Sequence, residues 1–236
     1  MTLHIMHVNL AKGFRGGERQ TELLIQALAN SGLKQLLVCR SDSPLRTRLE
    51  GTTNLSFLNA NHQLMGHWGA PKVDLIHAHE AKAVHWAWLH HCLRGTPYIL
   101  TRRVPQPVKD NSFNQRCYRN ACMAVAISSP IEQHLNTHQW CPVQRIPSAL
   151  AHLKHDPETV AILRATYTGR FIIGHAGALV DKHKGQRELI AAARLLANKP
   201  SKQVILPRVS ANLCCCLMNK ANYVNKRLRN YCQNLT

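Results

Sequence analysis

The stretch LHIMHVNLAKGFRGGERQTELLIQALAN, residues 3–30, contains the pattern that decides the fold. Residues 3–8 have the short apolar pattern of a β-strand, and a glycine-containing loop follows at residues 13–17. Residues 18–30 then place leucine and alanine side chains on one helical face. A strand, a glycine loop and a helix in this order predict the first unit of a parallel α/β sheet.

The same alternation of strands and helices continues along the chain. It predicts helices at residues 81–93, 113–118 and 130–137, and further strands at residues 35–39, 55–58, 73–77, 97–101, 123–127 and 143–146. Seven strands with helices between them predict a Rossmann-like, doubly wound parallel sheet within residues 1–150. In such a sheet the ligand binds outside the carboxyl ends of the strands.

Residues 151–236 lack the regular alternation of strands and helices found in residues 1–150. Residues 151–200 contain a linker, a helix at 157–166 and one strand-turn-helix unit that begins at Phe171, so we expect only the start of a second α/β domain. Residues 201–236 are an atypical basic tail with no acidic residue and three consecutive cysteines at 214–216.

The charge is strongly asymmetric. The 236 residues include 30 Lys plus Arg against 12 Asp plus Glu, a net charge of +18, and no acid lies beyond Glu188. Such a charge makes phosphate groups, nucleic acid and anionic membrane surfaces the partners to consider. No apolar run is long enough to span a bilayer, and the amino terminus lacks a signal-peptide pattern. We expect a cytoplasmic protein, with peripheral association at the inner face of the cytoplasmic membrane left open.

Cysteine and histidine spacing predicts no metal site. Five of the nine cysteines are isolated in apolar surroundings, which predicts buried free thiols, and the tail cysteines are too close together to point at one ion. His77 and His79 have no third ligand at a fitting sequence position.

The candidate site residues follow the predicted strands. Gly16, Gly17 and Glu18 lie where the first helix begins, and backbone N–H groups there favour an anionic ligand, although an ordinary turn explains the glycines equally well. His77 and His79 alternate, so they lie on one side of the strand, as ligand-facing or as structural histidines.

Further candidates are charged. Glu80 directly follows His79. Arg102 and Arg103 end the fifth strand, so we expect both guanidinium groups at the same rim, either bound to phosphate or carboxylate or simply solvated. Lys182, Lys184 and Gly185 form a cationic turn at a helix start, which favours phosphate.

Five landmarks follow one another along the chain. They are GFRGGERQTELLIQAL, DLIHAHEAKAVHWA, AISSPIEQHL, RIPSAL and FIIGHAGALVDKHKGQRELIAAARLL. In this order they resemble glycosyltransferase family 4 of the GT-B fold. The resemblance covers residues 1–198 and implies an acceptor-side domain followed by the beginning of a donor-side domain.

The resemblance also implies an activity. It implies transfer of a sugar from a nucleotide-sugar to a glycan or lipid-linked acceptor, with retention of configuration, no metal and no cofactor beyond the donor. Polysaccharide and lipopolysaccharide synthesis are the usual context. His79 would lie near the transferred sugar, and Lys184 would neutralise the departing diphosphate. Ala178 and Ser148 replace an arginine and an asparagine that the family usually has.

After Pro200 the sequence lacks the glycine-rich nucleotide loop and the paired-glutamate motif of the family. We therefore expect a C-terminally truncated chain with weak or no transfer activity. The alternative is a non-catalytic basic protein that binds an anionic partner such as nucleic acid or a membrane surface. With only 6% aromatic residues for base stacking, no specific nucleic acid is expected.

Overall fold

A computed structural model describes residues 2–150, 156–168 and 185–197. The chain divides into two compact units, Met1–Leu153 and Lys154–Thr236.

The first unit contains one seven-stranded sheet in which all paired strands are parallel. Its strand order is β3-β2-β1-β4-β5-β6-β7, so the order reverses between β1 and β4. The doubly wound Rossmann-like prediction is confirmed. The strands are β1 His4–Asn9, β2 Lys34–Cys39, β3 Leu55–Asn59, β4 Leu75–Ala78, β5 Tyr98–Arg102, β6 Met123–Ala126 and β7 Val143–Arg145.

Five helices connect these strands. They are α1 Gly16–Leu28, α2 Pro44–Leu49, α3 Ala81–Arg94, α4 Ser112–Arg119 and α5 Ser129–His138. The pattern did not predict α2, whose six residues are too few to show helical periodicity. Helix α3 ends at Gly95, whose φ of +71° is the left-handed conformation that glycine adopts most readily.

Two apolar clusters lie on opposite faces of the sheet. The larger contains Met6, Ile76 and Leu100 together with residues of α3, α4 and α5. The smaller contains Leu37 and Cys39 with residues of α1 and α2. Successive strand residues therefore enter different cores, and burial on both faces stabilises the parallel sheet.

Cysteine burial differs from the prediction. All five described cysteines are free thiols, and Cys39 and Cys117 are buried. Cys92 and Cys122 are exposed and Cys141 is intermediate, so the prediction of burial was wrong for these three positions. Cys92, for example, lies near the end of α3, where the apolar neighbours in sequence face a different direction.

The second unit is described through two helices, α6 Pro157–Thr166 and α7 Gln186–Ala197. Asp156 caps α6 by accepting a hydrogen bond from the backbone N–H of Glu158. The predicted strand at 171–175 and the tail at 201–236 lie outside the described residues, so the extent of the second domain stays a prediction. In the described ranges no helix is both long enough and apolar enough to cross a membrane.

Candidate functional site

Three histidines meet at the carboxyl ends of β1 and β4. His7 on β1 is the register partner of His77 on β4, and His79 follows on the same face. His7 and His79 are each 1% exposed, whereas His77 is half-buried. The prediction that His77 and His79 share a side is confirmed. The sequence interpretation missed His7, because pairing between β1 and β4 joins residues that lie 70 positions apart.

A chain of hydrogen bonds passes through two of these histidines. The Nε2 atom of Gln35 donates to the Ile25 carbonyl at 3.1 Å, and its Oε1 lies 3.2 Å from His7 Nε2. His7 Nδ1 lies 3.1 Å from His79 Nε2, and Arg103 Nη2 lies 3.5 Å from His79 Nδ1. We call Gln35, His7, His79 and Arg103 the histidine chain. It connects the Ile25 carbonyl on α1 to the guanidinium group of Arg103.

The three imidazoles are neutral at neutral pH. Burial lowers the pKa of His7 to about 4 and that of His77 to about 3, where the charges of His7 and Arg103 contribute to the lowering. Burial also lowers the pKa of His79 well below its usual value, and the neighbouring His77, His7 and Arg103 lower it further. The site therefore offers neutral hydrogen-bonding groups beside one permanent cation.

The expectation that His77 and His79 lack a third possible metal ligand was wrong. One nitrogen from each of His7, His77 and His79 lies within 4.8 Å of the others. A metal ion held by His7 Nδ1 and His79 Nε2 would replace the hydrogen bond between them and would force the proton of His79 onto Nδ1. That proton would face the Arg103 guanidinium, so this donor set fits a cation poorly.

Arg103 packs against the first turn of α1. A Cβ added at Gly17 would lie 3.5 Å from Arg103 Cδ, whereas one added at Gly16 would meet nothing within 4 Å. The Nε atom of Arg103 is buried, and among the described residues it has no hydrogen-bond partner. Burial lowers the pKa of Arg103, and the nearby Glu18 opposes that effect. A guanidinium group therefore lies beside the helix start, at a distance that leaves room for no more than a methyl group at position 17.

Arg102 does not join Arg103. Its Nη2 donates to the Gln106 carbonyl, and its side chain lines a cavity with His85 and Tyr118 on the side of α3 and α4. Both arginines lie at the carboxyl end of β5, but Arg102 lies on the side of α3 and α4 and Arg103 on the side of α1, so their shared binding of an anion stays a prediction. Consecutive residues along an extended segment point to opposite faces, and this alternation separates the two arginines.

Two predicted acidic residues have local structural partners. Glu18 is 8% exposed and accepts a hydrogen bond from the Arg15 backbone N–H at 2.8 Å, which completes the start of α1. Glu80 caps α3 by accepting from the backbone N–H groups of Lys82 and Ala83 at 2.7 and 2.8 Å. It also accepts from Leu10 at 3.2 Å and so fastens the loop after β1. Neither carboxylate is placed as a free ligand group.

The remaining candidates are divided between the two units. His77 Nε2 lies 2.7 Å from Thr101 Oγ1 on β5. Gly185 has a φ of +64° directly before α7. Lys182 and Lys184 lie outside the described residues, so their phosphate-binding role stays a prediction.

The fold matches that of GT-B glycosyltransferases. Anabaena HepE with UDP-glucose aligns with a TM-score of 0.63 at 18% identity, over 95% of this chain and 67% of that one. HepE with UDP and glucose aligns at 0.61 and 19% identity, over 81% and 58%. A glycosyltransferase from Rickettsia africae aligns at 0.57 and 15% identity, over 82% and 57%.

Comparison by sequence, in contrast to comparison by structure, finds no match. No protein-family model matches the chain, and no curated protein matches it. At identities below one fifth, the structural likeness establishes the fold alone. In the alignment with UDP and glucose, the chain spans 58% of the length of HepE.

Proposed function

We propose that this chain is part of a glycosyltransferase of the family 4 type. The complete enzyme transfers a sugar from a nucleotide-sugar to a glycan or lipid-linked acceptor, with retention of configuration and without a metal, and this chain alone has weak or no transfer activity. The fold of its structural neighbours and the order of the five sequence landmarks support this proposal.

The observation that carries the proposal is the position of Arg103 against Gly17. A guanidinium group and the amino-terminal end of α1 converge there, beyond the strands of the sheet. Both favour an anion, the guanidinium by charge-assisted hydrogen bonds and the helix by its free N–H groups and dipole. The diphosphate of a nucleotide-sugar is such an anion, and HepE, whose fold is similar, was solved with UDP-glucose.

The other unit supplies the second part of the proposed reaction. Lys184 neutralises the nucleoside diphosphate as it departs from the sugar, which lowers the energy of a transition state in which negative charge develops. Gly185 directly precedes α7, so Lys184 is next in sequence to a helix start, which favours an anion.

Calorimetry with UDP-glucose and a panel of other nucleotide-sugars tests the binding half of the proposal. We expect Arg103→Gln to weaken binding by about 10-fold or more, since a charge-assisted hydrogen bond contributes about 1.5–3 kcal/mol. Arg119→Gln, at an exposed position at the end of α4, is the matched loss of one charge and is expected to leave affinity unchanged.

Transfer to glycan or lipid acceptors is then measured for the unsubstituted chain and for Lys184→Ala. We expect weak or no turnover; any weak turnover should be lost in Lys184→Ala, and robust turnover would contradict the expected truncation of activity. A folded chain that binds no nucleotide-sugar, but binds DNA or anionic vesicles in a salt-dependent way, contradicts the proposal and supports a basic binding protein instead.

A further inference from the structure

We propose that His7 and Gln35 are positioning residues that hold His79 in one tautomer, so that its Nδ1 accepts a hydrogen bond from Arg103. The histidine chain thereby fixes the guanidinium group beside Gly17. The proton positions in the histidine chain follow from its hydrogen-bond geometry alone. Their effect on anion binding rests on the proposed function.

The orientation begins at the carbonyl of Ile25. A carbonyl oxygen can only accept, so the Gln35 atom 3.1 Å away is the amide nitrogen. The other amide atom, Oε1, therefore faces His7 Nε2 at 3.2 Å and can only accept. His7 must carry its proton on Nε2, because the opposite tautomer would place two bare acceptors against each other in a buried position.

The tautomer of His7 determines that of His79. A neutral imidazole has one N–H, so protonation of Nε2 leaves Nδ1 of His7 as an acceptor. His79 Nε2, 3.1 Å away, must then donate, and this leaves His79 Nδ1 bare. Arg103 Nη2 lies 3.5 Å from that nitrogen, and a guanidinium group can only donate. Each proton position follows from the one before it, from the Ile25 backbone carbonyl to the partly buried guanidinium of Arg103.

This arrangement changes the role expected for His79. The ring is 1% exposed, and both of its nitrogens have partners within the protein. It therefore acts on a ligand through Arg103 and need not touch the transferred sugar. Because a guanidinium group has five N–H donors, the one directed at His79 leaves others free for an anion.

The test of the tautomers is nitrogen NMR on the full chain with 15N-labelled histidine at pH 7. We expect His7 and His79 both to show a protonated Nε2 and a bare Nδ1. His7→Phe keeps an aromatic ring but removes the acceptor of the His79 Nε2–H. The 3.5 Å contact with Arg103 is then the one constraint left in the histidine chain, so the Nε2 signal of His79 should shift and the Nδ1-protonated tautomer should become detectable. His90→Phe, which also replaces a buried histidine stacked on an aromatic ring, should leave both signals unchanged.

A second variant guards against failure of His7→Phe to fold. Gln35→Met keeps the side-chain length but removes the acceptor, so the His7 Nε2–H loses its partner. Arg103 then orients the chain from one end alone, and a fraction of His7 and His79 should change tautomer. A His79 ring protonated on Nδ1 in the unsubstituted chain would overturn the proposal. So would an unchanged His79 signal in His7→Phe, or stoichiometric Zn²⁺ binding that shifts the signals of all three histidines.

Inorganic pyrophosphate is the probe for the effect on binding. We expect a fall in affinity of about 3- to 10-fold in His7→Phe, although Arg103 is still present. If the tautomers are as described but pyrophosphate and nucleotide-sugars do not bind at all, the positioning role stands and the proposed function fails. Equal pyrophosphate affinity in His7→Phe and the unsubstituted chain would overturn the effect on Arg103.

Discussion

Gln20 and Ala149 are joined by two hydrogen bonds of 2.8 Å each. The Gln20 Nε2 donates to the Ala149 carbonyl, and the Gln20 Oε1 accepts from the Ala149 backbone N–H. The pair connects α1 to the segment after β7, across 129 positions of sequence. One side chain thus ties the last described residues of the first unit to the helix that follows the glycine loop.

Replacing Gln20 by Glu should loosen this segment. The carboxylate still accepts from Ala149, but it faces the Ala149 carbonyl without a proton to donate. We expect faster amide exchange over residues 146–150 and a loss of about 1 kcal/mol in stability, as for one hydrogen bond. Hydrogen exchange with mass spectrometry measures this, and exchange in β4 is the internal control. Unchanged protection near Ala149 would show that other contacts hold the segment.

Stability should fall as the pH drops from about 6.5 to about 4. The pKa of His7 is about 4 in the folded chain, against about 6.5 in an unfolded one, so the unfolded state binds more protons between these values. A difference of about 2.5 pKa units corresponds to at most about 3.4 kcal/mol for this residue. The free energy of unfolding, measured with urea at a series of pH values, should depend less steeply on pH in His7→Phe. An equal slope would mean that His7 is already solvated or charged.

Substitutions at Gly17 should separate contact with Arg103 from helix formation. In Gly17→Ala the new methyl group lies 3.5 Å from Arg103 Cδ, an ordinary contact, so stability should be unchanged or rise by up to about 1 kcal/mol. In Gly17→Val the added methyl groups should displace the guanidinium and weaken pyrophosphate binding about 10-fold. Thermal unfolding and calorimetry measure the two effects. Strong binding by the valine variant would place the anion elsewhere.

Glu80 should matter for folding more than for ligand binding. Its carboxylate accepts three backbone hydrogen bonds, so Glu80→Ala should cost about 1–2 kcal/mol, as for loss of a helix cap. Glu80→Gln retains acceptor capacity and should cost less. Chemical unfolding and nucleotide-sugar calorimetry give the two quantities. A stable Glu80→Ala variant that binds the nucleotide-sugar poorly would return Glu80 to the ligand site.

The spacing of apolar residues within each segment was sufficient to predict the sheet, because strands and long helices each repeat apolar residues at a characteristic interval. It was insufficient for the site, where contacts depend on register. The spacing of His77 and His79 in the sequence predicts that they share one face of the strand. Nothing in the neighbouring sequence indicates that His7, on another strand, lies beside them. Arg102 and Arg103 could have been separated by the same alternation, had it been extended by one residue.

The edges of the sheet decide how readily copies of this chain could associate. One edge strand, β7, has only three residues, of which Gln144 and Arg145 are exposed. Such a strand is a poor template for another chain. The opposite edge, β3, has five residues and carries Phe57, over whose ring Arg46 lies at 4.8 Å. Any aggregation by strand addition should therefore begin at β3, and loss of the Arg46 charge should promote it.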